Sequence, residues 1–373
     1  MKKLLFLLSL LLSLLLSSQL IAATCEWPQW NNFKSTYIDN GRVIDGSDDR
    51  LLTTSEGQSY ALFFALVAND QQAFGQILKW TQANLAGGDL TARLPAWLWG
   101  KKLDGQFGIL DTNPASDSDL WIAYALGEAG RLWNNYYYQS LGYLLAARIL
   151  REESVQIAGV GMTLLPAPKG FDLGEGRYRL NPSYVPLQLI ARMKELYPQY
   201  SWDSMYQSST LMLDQTLTTG FSPDWVTLYG KRFNVDNLTG PTGSYDAIRT
   251  YLWVGMLNEK NKEKEQLVKK MKPFYTAIER LGAPPREVDT VSGKYSQPGS
   301  AGFSAAALPL LASMDYSILL ETQAIRALNE LVTNRNDHYY DNVLSLFGLG
   351  WHNERFRFGE HGELQPAWVQ QCQ

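Results

Sequence analysis

Cysteine and histidine are almost missing from this chain of 373 residues, which holds two of the first, Cys25 and Cys372, and three of the second. That stock is too small for a zinc-type ligand cluster, so no metal or cofactor is expected. The two cysteines stand at opposite ends of the chain that remains after a leader is removed. In an exported protein they are able to tie the termini together. An excess of basic residues is missing too, with 33 Lys and Arg against 37 Asp and Glu. Losing Lys2 and Lys3 with the leader deepens the balance from −4 to −6. A basic face is what nucleic acid and anionic membranes require, so neither is expected as a partner. Pro/Ser-rich linkers are absent, and beyond the first residues no segment is apolar enough to span a bilayer. Roughly 350 residues without a linker read as one large domain over 24–373.

The exception at the start is M-K-K-L-L-F-L-L-S-L-L-L-S-L-L-L, closed by the small residues Ala22 and Ala23. A basic start, an apolar stretch and a small-residue exit make a secretory signal peptide over 1–23. A membrane anchor is the competing reading, which the interrupting serines and the small-residue exit disfavour. The expected location is therefore the periplasm or the exterior, with no membrane attachment after cleavage.

What the chain has in abundance is aromatic surface: 12 Trp, 20 Tyr and 14 Phe. Most belong in any core. In an acidic exported protein such a stock also suits a cleft with flat apolar walls, on which sugar rings stack.

Most of the chain carries helical periodicity. Apolar residues recur at three- and four-residue steps over 60–67, 74–85, 120–132, 138–149, 185–196, 245–257, 267–281, 305–311, 318–331 and 343–349. Strand-like alternation is scarce, and its best case is 163–166. The charged run 258–266 reads as a loop and the solvated start of a helix. Helix starts with a Ser, Asp, Asn or Gly at a capping position fall near residues 56, 117, 183, 245, 303 and 339. The first five are about 60 residues apart, enough for two helices and two loops, and more polar helices lie between them. This predicts an all-α fold of six inner and six outer helices. Antiparallel hairpins alternate in direction, so every inner helix starts at the same rim.

Four carboxylates belong to that rim: Glu56, Asp117, Asp119 and Asp246. Taken singly, each is explained by the free N–H groups of a helix start, worth roughly 0.3–1 kcal/mol. Glu56 stands three residues after Thr53, as a capping box would place it. Their convergence on one rim is the argument for chemistry.

The motifs S-E-G-Q-S-Y, P-A-W-L-W-G, A-S-D-S-D-L-W, N-P-S-Y, S-Y-D-A-I-R and G-F-S-A-A occur in this order from Glu56 onward. Together they resemble glycoside hydrolase family 8, and more closely its members encoded with bacterial cellulose synthase. The likeness runs over almost the whole mature chain. It implies an (α/α)6 toroid, hydrolysis of β-1,4-glucan chains with inversion, and possible association with a cellulose synthase complex. By the same resemblance Glu56 matches the general acid and Asp246 the general base. Asp117 matches an acidic residue that signature descriptions call a nucleophile. Inversion has no covalent nucleophile, so Asp117 is expected to hold the sugar or to neighbour the acid. Ser118 stands where the family has Gly or Ala.

A general acid at a helix N-terminus poses a requirement, because that position favours the ionised form. A nearby ionised carboxylate and aromatic walls must act in the other direction, so Asp117 is expected close to Glu56. Arg249 falls one turn after Asp246 and either keeps it ionised or forms an ordinary helix pair. Tyr184 is a candidate contact for the attacking water or a sugar hydroxyl. Trp97 and Trp99, two apart in an extended segment, share a face, with Trp99 as the sugar platform and Trp97 behind it. Trp225 is a second platform candidate. Trp121, Trp253 and Trp351 read as core, His338 as near the rim, and His352 and His361 as peripheral. Related toroids acting on xylan or chitosan, and a non-catalytic glucan-binding partner of a synthase, are the rival readings.

Overall fold

The computed structural model describes residues 26–314 and 316–371. The expected leader and the Cys25–Cys372 pairing lie outside these residues. Among the described residues no helix is long and apolar enough to cross a membrane.

A helix that is apolar on all sides must be surrounded, and several segments have that composition. The first inner helix, Ser55–Val67, is buried at every position except Glu56. The second, Ser116–Leu132, is buried from Ser116 to Gly130. The third and fourth are Leu187–Leu196 and Ala247–Gly255, and the fifth and sixth are Ala301–Ser313 and Tyr339–His352. Each packs on the next in this order. The ring closes where Phe63 and Phe64 of the first helix meet Phe347 of the sixth, with centroids 5.5 and 4.6 Å apart.

The outer helices are amphipathic instead. Gln71–Leu85 buries Ala73, Phe74, Ile77, Leu78, Thr81 and Leu85, a stripe at three- and four-residue steps. Tyr136–Glu152, Trp202–Thr216 and Ser317–Glu330 back the second, third and fifth inner helices. Behind the fourth lie two pieces, Lys264–Lys270 and Lys272–Leu281. The break falls at Met271, just before Pro273, whose ring is tolerated only in a first helical turn. The sixth inner helix is backed by the first helix of the described residues, Pro28–Tyr37. The architecture is therefore all-α, an (α/α)6 toroid.

Aromatic side chains fill its centre. The Trp253 ring lies 5.2 Å from Trp121 and 5.0 Å from Phe347, and Tyr60 stands 5.0 Å from Phe347. Trp121 and Trp253 are thus core, as the sequence suggests. Inner helices also approach closely where a side chain is missing. A Cβ on Gly348 would lie 1.8 Å from the Ala305 carbonyl oxygen, so only glycine lets the fifth and sixth helices meet there.

Two outer helices, Pro28–Tyr37 and Trp202–Thr216, fall outside the periodic segments read from the sequence. Short antiparallel strands also exceed the single expected case. Thr53–Thr54, Leu98–Lys101 and Phe107–Asp111 form one three-stranded sheet. Arg177–Leu180, Val226–Tyr229 and Arg232–Val235 form another. The run 258–266 is a loop leading into a helix at Lys264, but Lys264 itself is buried. Its ammonium donates to the Leu257 carbonyl at 2.7 Å and to Glu259 at 2.6 Å.

Candidate active site

The inner-helix starts at residues 56, 117, 184, 246 and 339 open into one cleft of about 350 Å³. The fifth inner helix reaches the rim through Phe303, whose ring meets that of Tyr245 at 5.3 Å.

Glu56 is delivered by the small sheet ahead of it. Thr53 pairs with Trp99 and Thr54 with Leu98, and the Ser55 N–H donates to the Trp97 carbonyl at 3.0 Å. Behind the helix start, the fully buried Gln58 accepts from Val43 N–H at 2.6 Å and donates to the Gly41 carbonyl at 3.0 Å. The cap of this helix is Thr54, whose hydroxyl accepts from Gly57 N–H at 3.0 Å. Thr53 is engaged elsewhere, donating to the Val43 carbonyl. The capping-box reading is therefore replaced: Glu56 is not used as a cap and its carboxylate faces the cleft. Gly57 is required beside it, because a Cβ there would lie 2.5 Å from the Tyr339 hydroxyl.

Glu56 binds the guanidinium of Arg249, which reaches it from the fourth inner helix. Arg249 is itself buried. The nitrogen bound to Glu56 lies 3.2 Å from the Tyr60 hydroxyl and 3.7 Å from Asp117 Oδ2. The other terminal nitrogen donates to Asp246 Oδ1 at 2.7 Å and to Ser183 Oγ at 3.2 Å. One cation thus collects three carboxyl groups, and Asp117 lies close to Glu56 as required. A single positive charge cannot balance three negative ones, so retention of a proton in this cluster is favoured.

Asp117 and Asp246 differ in setting. Asp117 is buried, and its Oδ1 accepts from the N–H and hydroxyl of Ser118 at 2.7 and 3.3 Å. Burial pushes its carboxyl up to about 6, and the Ser118 hydrogen bonds oppose that rise. Asp246 precedes the fourth inner helix, and 30% of its side chain remains exposed. Desolvation within the cleft pushes its carboxyl up to about 7, reinforced by the charges of Asp224 and Asp117. The Asn181 amide and the Trp225 indole act against it. Asp224 also holds the turn in place, accepting from Ser244 N–H at 2.8 Å and Ala247 N–H at 2.7 Å.

The aromatic candidates separate. Trp97 and Tyr184 line the cleft. Trp97 is 36% exposed, and Tyr184 lies against both the Arg249 guanidinium and the Trp225 ring. Trp99 does not line the cleft. It is stacked on Phe107 at 5.2 Å, edge-on to Trp80, with the Arg42 guanidinium 4.2 Å from its centre. Trp97 stands just before the strand Leu98–Lys101, whereas Trp99 lies within it opposite Thr53. Trp225 is also outside the lining. Phe171 stacks on it at 5.7 Å, Arg179 lies 4.0 Å from its centre, and its N–H serves Asp246. Asp119 points away from the cleft into the protein.

Several cleft residues escaped the sequence reading. Tyr245 and Tyr340 both line it, joined by a 2.6 Å hydrogen bond from the Tyr340 hydroxyl to the Tyr245 carbonyl. Both lie inside quoted helix-start motifs, S-Y-D and H-Y-Y-D, so their place on the rim was available as a signal. Asp224, beside Trp225 in F-S-P-D-W, acts on Asp246 without lining the cleft.

Comparison with known proteins identifies the family. The family model described as "Glycosyl hydrolases family 8" matches residues 6–354. An endoglucanase of Escherichia coli O157:H7 is 45% identical over 366 residues, covering 96% of each chain. An endoglucanase of Xanthomonas axonopodis pv. citri is 41% identical over 345 residues, covering 92% of this chain and 89% of its own. The crystal structure of an endo-1,4-D-glucanase from Vibrio fischeri ES114 superposes with a TM-score of 0.90 at 52% identity. It covers 92% of this chain and 100% of its own. With three carboxyl groups gathered on one buried arginine at the mouth of an (α/α)6 toroid, the chain belongs to glycosyl hydrolase family 8 and is a glycoside hydrolase.

Proposed function

We propose that this chain is an endo-1,4-β-glucanase that cleaves β-1,4-glucan with inversion, with Glu56 as general acid and Asp246 as general base. The observation that supports it is the set of three carboxyl groups around Arg249 in a cleft walled by Trp97, Tyr184 and Tyr245. Inversion requires a protonated carboxyl over the glycosidic oxygen and an ionised one behind a water, roughly 6.5–9.5 Å apart. Two carboxyls that share one guanidinium through different nitrogens suit that spacing.

The assignment of the base follows from access to water. Asp246 keeps 30% of its side chain exposed, whereas Asp117 keeps 4% and spends one oxygen on Ser118. Asp246 therefore takes the proton from the water that attacks the anomeric carbon. Glu56 gives its proton to the leaving oxygen as the C–O bond breaks, and the two carboxyls exchange protons with solvent between turnovers. Arg249 supports the anion on Asp246. Its contact with Glu56 opposes protonation there, so a bound sugar has to displace part of that contact. Asp117, close behind, supplies the negative charge that favours a proton on Glu56.

In the same reading, residues 1–23 direct export and 24–373 form a single catalytic domain in the periplasm or outside the cell. Its partners there are β-1,4-glucan chains, including those delivered by a cellulose synthase complex. The relatives are named as endoglucanases, which favours glucan over xylan or chitosan as substrate. A panel of carboxymethyl cellulose, cello-oligosaccharides, xylan and chitosan tests the choice. Fast loss of viscosity on the cellulose derivative and internal cleavage of cello-oligosaccharides are expected. Faster release from xylan or chitosan, or binding without cleavage, contradicts the reading.

A further inference from the structure

Asp119 and Glu153 are both 0% exposed. Asp119 lies in the first turn of the second inner helix, and Glu153 follows the last residue of the outer helix that backs it. No N–H or O–H of any other described residue reaches their four carboxyl oxygens. The two carboxyls meet only each other.

Two buried carboxylates in contact are excluded by desolvation and by their mutual repulsion. One proton between them turns the clash into a strong O–H···O⁻ hydrogen bond. The surroundings give no other relief. The charges acting on the pair are Asp117 from the same helix start and Glu152 from the outer helix, both negative. The cations near Glu152 are committed to it, Arg148 at 2.5 Å and Arg151 at 2.9 Å. Arg249 faces Asp117 from the cleft side at 3.7 Å. The strand segment after Glu153 adds neutral contacts, Leu165 N–H to the Glu153 carbonyl at 2.8 Å and Ser116 N–H to the Pro166 carbonyl at 2.9 Å.

We propose that Asp119 and Glu153 share a single proton at neutral pH and, as an acid–carboxylate pair, fix the helix turn that presents Asp117. They are positioning residues, because neither lines the cleft. A pair of this kind lowers stability at neutral pH. The unfolded carboxyls ionise near pH 4 while the folded pair keeps its proton, so stability falls as pH rises above that point. A neutral hydrogen-bonding pair has no such dependence.

The test compares wild type with Glu153→Gln, Glu153→Leu and the double variant Asp119→Asn/Glu153→Gln. Wild type at pH 8 should show an infrared carboxylic-acid C=O band that vanishes in the double variant. Its melting temperature should fall from pH 5 to pH 8 more steeply than that of the double variant. Glu153→Leu strands the Asp119 charge and should lower kcat about 10²-fold with KM little changed, and Glu153→Gln should restore most of it. The kcat arm rests on the part given to Asp117 above; the infrared arm does not, so the two fail separately. A missing band together with identical pH dependence of stability overturns the shared proton. Unchanged kcat in Glu153→Leu overturns the positioning role.

Discussion

Glu56→Gln is expected to lower kcat on cello-oligosaccharides by about 10²–10⁴-fold while leaving KM within a small factor of wild type, because a positioned general acid supplies that much acceleration. Glutamine keeps the size of the side chain, and Thr54 rather than Glu56 caps the helix, so the fold has no reason to suffer. A leaving group that departs without protonation separates the acid from its alternatives. On an aryl cellobioside with an acidic phenol, the Gln variant should recover most of its lost rate. An equal loss on both substrates would assign Glu56 to binding instead.

Asp246→Asn is expected to cost a similar factor, about 10²–10⁴, but on every substrate, because activation of water does not depend on the leaving group. Its pH signature is equally specific. The base must be ionised, and its carboxyl is raised to about 7 by desolvation first, then by Asp224 and Asp117. Activity in kcat/KM should therefore fall as pH drops through about 7. Removing the neighbouring charge with Asp224→Asn should move that acid limb to lower pH. An acid limb unmoved by Asp224→Asn, together with a largely active Asp246→Asn, would transfer the base role to another group. Asp117, raised to about 6, is the first candidate.

How far the sequence carried this account depends on the element. Most inner helices were legible because they are apolar on nearly all sides and follow a capping residue, whereas the third, Leu187–Leu196, has an exposed polar face at Lys194 and Glu195. Burial of both faces leaves a strong signal, and the first inner helix shows it best, with Glu56 its only position that is not buried. The outer helices were legible where one apolar stripe is clean, as in Gln71–Leu85. Trp202–Thr216 was not, because serine and threonine fill its middle and weaken the helical signal. Pro28–Tyr37 has ten residues and closes on an inner helix some 300 positions later, a contact that no local pattern can report.

At the site, types and positions along the chain were readable, whereas directions were not. Glu56, Asp117, Asp246, Arg249 and Tyr184 come together as their helix starts suggested. The sequence pairs Arg249 with Asp246 one turn away, and its reach to Glu56 and Asp117 needs contacts between helices far apart in the chain. The tryptophans show the limit more sharply. Alternation assigns Trp97 and Trp99 to one face, but Trp97 precedes the strand and lines the cleft, whereas Trp99 is taken up by Phe107, Trp80 and Arg42. Trp225 hydrogen-bonds Asp246, and Phe171 and Arg179 lie against its ring. Asp119 was counted on the rim with Asp117. Two residues along a helix is more than half a turn, so their side chains leave in different directions.

The central claim is a single displacement by water between two carboxyl groups, and its stereochemistry tests it most directly. Proton NMR of cellohexaose digestion, recorded before mutarotation, should show the α anomer as the first reducing end formed. A β anomer formed first would mean a covalent glycosyl-enzyme, and would contradict the pairing of Glu56 as acid with Asp246 as base.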